Sequence, residues 1–192
     1  ISWVLYKDKE TKTEQVEATE SNTEVVESTG DSVKISEDNQ CRKETVVLSP
    51  LKGNAIELSE VSDPTFAGGI LGKGIAIEPS EGKVIAPFDG NVAALFPTKH
   101  AIGMVSNNGV EVMVHVGIDT VQLEGKFYNA LVEQGDKIKA GQTILEFDMK
   151  GIKDAGYQVV TPVIITNTDN YNSVDGIKTG NVDFMEKIIS IK

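Results

Sequence analysis

Hydrophobic and polar residues alternate most strictly along Val110-Glu111-Val112-Met113-Val114-His115-Val116. A period of two predicts a strand with Val110, Val112, Val114 and Val116 on one face and Glu111, Met113 and His115 on the other. Four valines mark the first face as core. Shorter patterns of the same kind recur from Thr45 onward: Thr45–Leu48, Asn54–Leu58, Gly74–Glu78, Lys83–Ala86, Asn91–Phe96, Ala101–Ser106, Lys126–Val132, Gln142–Asp148, Gln158–Asn167, Val174–Lys178 and Lys187–Lys192. Turn residues punctuate them: Asp63-Pro64, Pro87-Phe88-Asp89-Gly90, Asn108-Gly109 and Lys139-Ala140-Gly141. Pro162 marks its strand as an edge or bulged one. Lys150–Gly156 has room for no more than a helical turn. Short strands with frequent turns predict an all-β domain, an antiparallel β-sandwich or a partly closed barrel.

The turn Asn108-Gly109 predicts a two-residue hairpin loop. Asn107 then faces Val110, Ile102 faces His115, and His100 faces Gly117. In that register His100 and His115, the two histidines of the chain, project from one face as diagonal neighbours, with Cβ atoms about 7–8 Å apart. An odd loop would place them on opposite faces. Thr98 shares the face of His100 if the strand is regular there, and its hydroxyl can then fix a histidine tautomer.

Composition divides the chain. Residues 1–44 are rich in Glu, Thr, Ser, Val and Lys and hold five of the eleven net negative charges, and no aromatic occurs from Lys7 to Thr65. Such a segment buries too little apolar surface to offset its ordering entropy and is expected to be a flexible acidic linker. Residues 45–192 form the expected folded domain. Ile1–Tyr6, with Trp3, Tyr6 and the following Lys7, resembles the end of a membrane helix; the first residue is not Met, and the chain is expected to be part of something longer. The net charge of -11 argues against a nucleic-acid partner. The one cysteine, Cys41, excludes an internal disulfide framework and has no neighbouring His or second Cys. No secretory cleavage pattern or apolar run of bilayer length occurs.

A surface histidine pair admits several chemistries. Zinc needs three or four ligands, and Asp119 or Glu111 would have to supply the remainder at a spacing that fits no zinc motif. A serine nucleophile lacks its G-x-S-x-G elbow. Phosphoryl transfer needs a neutral imidazole held in one tautomer, with a second imidazole to donate to the phosphoryl oxygens. It also needs an open surface for protein partners. The stretch Phe66-Ala67-Gly68-Gly69-Ile70-Leu71-Gly72-Lys73-Gly74 lacks the G-x-x-x-x-G-K-[ST] phosphate loop and is expected to be a flexible surface loop exposing apolar side chains.

From about Val46 to Lys192 the chain resembles the glucose-type enzyme IIA domain of the bacterial phosphoenolpyruvate-dependent sugar phosphotransferase system. Val114-His115-Val116-Gly117-Ile118-Asp119-Thr120, Thr98-Lys99-His100-Ala101 and Gly72-Lys73-Gly74-Ile75-Ala76-Ile77 carry the resemblance, with Ile85-Ala86-Pro87-Phe88-Asp89-Gly90 and Thr161-Pro162-Val163-Ile164-Ile165-Thr166-Asn167. It implies a β-sandwich in which His115 accepts phosphate at Nε2 from the histidine-containing phosphocarrier protein and passes it to a cysteine of an enzyme IIB domain, and so to sugar during uptake. It implies that His100 assists, that Thr98 orients His100, that the Gly117 carbonyl holds His115 Nδ1, and that Asp119 lies beside the pair. Phe66, Ile70, Leu71, Phe96 and Met113 would form an apolar docking rim. No cofactor or metal is implied. A fused permease, preceding this domain on one chain, would place it at the cytoplasmic face of the bacterial cell membrane.

Two other readings compete. Glu133–Gln142 and Met149-Lys150 echo biotinyl and lipoyl carriers, but Glu146-Phe147-Asp148-Met149-Lys150 stands where E-A-M-K-M would be expected. A free-standing regulatory module of the same family is the other.

Overall fold

The computed structural model describes residues 45–192. The linker expected over residues 1–44, with Ile1–Tyr6 and Cys41, lies outside the described residues. Fourteen strands follow in order among them: β1 (Thr45–Leu48), β2 (Gly53–Glu57), β3 (Lys73–Pro79), β4 (Lys83–Ile85), β5 (Gly90–Leu95), β6 (Ala101–Ser106), β7 (Glu111–His115), β8 (Tyr128–Ala130), β9 (Lys137–Ile138), β10 (Thr143–Phe147), β11 (Thr161–Ile165), β12 (Val174–Gly176), β13 (Gly180–Val182) and β14 (Lys187–Ile191). Two short helices interrupt them, α1 (Pro64–Ala67) and α2 (Met149–Asp154).

The strands form three antiparallel sheets. The largest has the order β13-β2-β3-β11-β7-β6-β5-β9, and the smaller ones are β1-β14-β12 and β4-β10-β8. None closes into a barrel, so the fold is the expected β-sandwich. One core joins all three sheets: Val112, Val114, Ile102 and Val163 from the large sheet meet Leu145 and Val84 from one small sheet and Ile188 and Ile189 from the other. The valine face of β7 is thus core, as its alternation predicts.

The opposite face of β7 is not simply solvated. Met113 is 5% exposed and belongs to a second cluster with Leu58, Val61, Phe66, Ala76, Ile118 and Ile164. Ala76, Ile164 and Met113 come from the neighbouring strands β3, β11 and β7, and α1 supplies Phe66. A sheet covered on both faces needs apolar residues on both.

Three expectations are corrected. The β6–β7 loop has three residues, not two. Ala101 pairs with His115 and Ile102 with Val114. Ser106 N donates to Val110 O at 2.9 Å, and Gly109, at φ +85°, closes the turn by donating to Ser106 O at 3.0 Å. A three-residue loop with a left-handed glycine is a standard hairpin solution. Side chains select it here: Ser106 Oγ accepts from Val110 N at 2.9 Å, while Asn167 Oδ1 accepts from Glu111 N at 3.1 Å and its Nδ2 donates to Gly109 O at 2.8 Å. Second, the strand containing Pro162 lies between β3 and β7 rather than at an edge. Its pairing with β7 runs over Val163–Ile165, so the proline sits just beyond that ladder. Third, Phe66–Gly74 is not all loop: α1 buries Phe66 at 4% exposure and leaves Ile70 at 76%.

Candidate functional site

Two departures from regular strand geometry bring the histidines together. His115 is the last residue of β7. The chain then turns through Gly117 at φ +82° and Asp119 at φ +58° into a 3₁₀ turn at Thr120–Leu123. On the other strand, His100 precedes β6 by one residue. Lys99, left-handed at φ +56°, donates its N–H to Phe96 O at 2.7 Å and closes a tight turn before it. His100 therefore escapes the alternation that the three-residue loop would impose. Val116 N donates to His100 O at 2.7 Å, and the two ring centroids lie 4.7 Å apart with planes at 79°. The pair is the expected one, reached through a different register. The left-handed turn at Lys99 restores the proximity that the odd loop would have removed.

Each imidazole is held at Nδ1. His115 Nδ1 lies 2.8 Å from Gly117 O. A carbonyl only accepts, so Nδ1 carries the proton and the neutral ring has its lone pair at Nε2. His100 Nδ1 lies 2.5 Å from Thr98 Oγ1. Phe66 packs against His115 at 5.0 Å between centroids, and Phe96 against His100 at 5.6 Å. Phe66 is placed by α1, where Pro64 occupies the first turn and Asp63 Oδ1 caps the helix by accepting from Thr65 N at 2.7 Å.

The two rings differ in access. His100 is 4% exposed, whereas His115 is only partly covered. Burial lowers both basicities, because removing water disfavours the charged ring. His100 falls to about 4, with His115 as an additional cause. His115 is lowered by burial, partly offset by its hydrogen bond to Gly117 and by the negative fields of Asp63 and Asp119. Both rings are therefore neutral at pH 7. Asp119 is exposed beside the pair.

The expected rim divides in two. Ile70 is exposed and Leu71 and Phe96 are partly covered. Phe66 and Met113 are buried and floor the site instead, because α1 covers that face of β7. Sequence reasoning missed Asp63, reading Asp63-Pro64 as a loop opening. An acidic residue directly before proline is also a helix-start signal, and that would have found it. Among the described residues no group of three or more His, Cys, Asp or Glu side chains is placed to hold a metal ion.

Residues 45–171 match the family described as phosphoenolpyruvate-dependent sugar phosphotransferase system, EIIA 1. The chain belongs to that family. It is 46% identical over 146 residues to a Bacillus subtilis protein named PTS system beta-glucoside-specific EIIBCA component, covering 76% of this chain and 24% of that one. It is 42% identical over 132 residues to a glucose-specific EIIA component of Staphylococcus epidermidis, covering 69% of this chain and 80% of that one. The solved glucose permease IIA from Mycoplasma capricolum superposes with a TM-score of 0.73 at 34% identity, covering 78% of this chain and 97% of that one. The chain spans about a quarter of the length of the fused B. subtilis relative. Sandwich fold and family thus agree with the resemblance carried by the histidine motifs. The biotinyl or lipoyl carrier reading and the free-standing regulator are not favoured.

Proposed function

We propose that this domain is the phosphoryl carrier of a sugar phosphotransferase system, with His115 as acceptor. The observation that carries the reading is the hydrogen bond from His115 Nδ1 to Gly117 O, on the ring that reaches solvent. It leaves the lone pair of a nucleophile at Nε2, on a ring that is only partly covered. In the first transfer, His115 Nε2 attacks the phosphorus of the histidine-containing phosphocarrier protein's phosphohistidine. The new N–P bond forms as the old one breaks, and the donor imidazole leaves. In the second, a thiolate of an enzyme IIB domain takes the phosphoryl group and His115 leaves neutral.

His100 assists rather than accepts. With Thr98 Oγ1 as donor to His100 Nδ1, the neutral His100 ring carries its proton at Nε2 and can donate to a phosphoryl oxygen. A preorganised donor of this kind is worth about 10²–10³ in rate. Burial by Phe66 and Phe96 keeps both rings neutral, so the acceptor is not lost to protonation at pH 7. Ile70, Leu71 and Phe96 offer the apolar contact for partners, with Asp119 at its margin.

The fused relatives are named EIIBCA, which joins an A component to B and C components on one chain. We read this domain in the same way, as the A part of a fused permease at the cytoplasmic face of the membrane, reaching its IIB acceptor through a tether at high effective concentration. Relatives are named for β-glucosides and for glucose; the sugar here is chosen by components other than this one.

The test is reconstitution of the chain with phosphoenolpyruvate, enzyme I and the phosphocarrier. An acid-labile phosphate is expected, absent in His115→Gln. In His100→Gln the label is expected to form but to pass slowly to a IIB domain. Undiminished labelling of His115→Gln contradicts the assignment.

A further inference from the structure

We infer that Thr120 and Tyr128 are positioning residues for the phosphoryl acceptor, acting through the Val116 carbonyl; the inference rests on the carrier reading above. Thr120 Oγ1 donates to Val116 O at 2.7 Å and Tyr128 OH donates to the same oxygen at 3.0 Å. Both side chains are buried, Thr120 completely and Tyr128 to 7% exposure. Both hydroxyls are spent on the backbone rather than on an imidazole, and two of them converging on one loop carbonyl exceed what chain continuity requires.

Their effect follows from the peptide planes around Gly117. The first plane contains the Val116 carbonyl, fixed by the two hydroxyls. The second contains the Gly117 carbonyl and the Ile118 N–H, and that N–H donates to Gln158 O at 3.1 Å. Gly117 sits between them at φ +82°, with Thr120 directly against it: a Cβ there would lie 2.5 Å from Thr120 Cγ2. Glycine adopts either sign of φ readily, so its own conformation sets nothing. The planes on either side decide where the Gly117 carbonyl points, and that direction decides which nitrogen of His115 keeps the proton. Without the two hydroxyls the first plane loses its anchors, and the Ile118–Gln158 bond alone holds the second. The Gly117 carbonyl is then less firmly aimed at Nδ1, and the ring gains access to the tautomer with its proton on Nε2, which has no lone pair for phosphorus.

The experiment uses the full chain bearing Thr120→Val, Tyr128→Phe or both, each removing a hydroxyl at nearly constant shape. The His115 tautomer is read from long-range ¹H–¹⁵N spectra of the unphosphorylated protein, and the initial labelling rate from the phosphocarrier. Each single variant is expected to lower the rate about threefold and the double about tenfold or more, since each removes one net hydrogen bond from the Val116 carbonyl. The Nε2–H tautomer is expected to become visible in the double variant, and Thr120→Ser is expected to retain wild-type tautomer and rate. Should the double variant fail to fold, the singles are read against Thr120→Ser. A wild-type tautomer in the hydroxyl-deleted variants overturns the inference, even if they melt earlier, and so does an undiminished labelling rate. If the wild-type chain takes no label, the carrier reading fails, while the tautomer spectra still decide whether the two hydroxyls set the imidazole.

Discussion

Gly117→Ala perturbs the site at the residue whose carbonyl holds His115. An alanine Cβ would lie 2.5 Å from Thr120 Cγ2 and 2.7 Å from Gln158 O, and the backbone is at φ +82°. The left-handed conformation costs a residue with a Cβ about 1–2 kcal/mol. Relieving the two contacts adds about 1–3 kcal/mol, the usual range for overpacking a filled site. The sum, about 2–5 kcal/mol, is a large part of the roughly 5–15 kcal/mol that holds a domain folded. Gly109→Ala is the control. Gly109 has φ +85°, but a Cβ there would meet nothing within 4 Å, so it incurs the backbone part alone. Urea unfolding followed by circular dichroism measures both. Gly117→Ala is expected to lose clearly more stability than Gly109→Ala and to lose labelling at His115 as its carbonyl shifts. Equal destabilisation of the two variants would refute the steric reasoning.

The same geometry makes two other outcomes measurable. His100 is neutral in the fold down to about pH 4, whereas an unfolded histidine binds a proton below about 6.5. The unfolded state thus holds more protons between those values, and stability falls as pH drops from about 6.5 to about 4, by at most about 3 kcal/mol; urea titrations at several pH values should show this part of the slope vanish in His100→Gln. Asn167→Ala removes the bonds to Glu111 N and Gly109 O that hold the β6–β7 loop. It is expected to cost about 1–3 kcal/mol and to speed amide exchange at Glu111, with labelling of His115 unchanged.

The sandwich and the central strand are legible in the sequence because alternation is a local pattern. Val112 and Val114 face the core as their spacing requires. What is not legible depends on residues far apart in the chain. Asn108-Gly109 has the form of a two-residue turn, and Asn167, just after β11, helps to select the longer one. Lys99 carries no glycine-like signal for a positive φ, since the conformation is imposed by the closed turn between β5 and β6. Phe66 looks exposed in a glycine-rich stretch, but the cluster that buries it draws on β3, β7 and β11. Pro162 suggests an edge because a ladder N–H is missing, yet the ladder to β7 starts at Val163. Thr98, His100, His115 and Gly117 nevertheless come together, because the local contacts Thr98–His100 and His115–Gly117 each span two residues.

The most direct measurement of the central claim is ¹⁵N and ³¹P spectroscopy of the chain after labelling from phosphoenolpyruvate through enzyme I and the phosphocarrier. Phosphate bonded to Nε2 of His115, with Nδ1 still protonated and His100 unmodified, is the predicted result. Phosphate on His100, or on Nδ1 of His115, would contradict it.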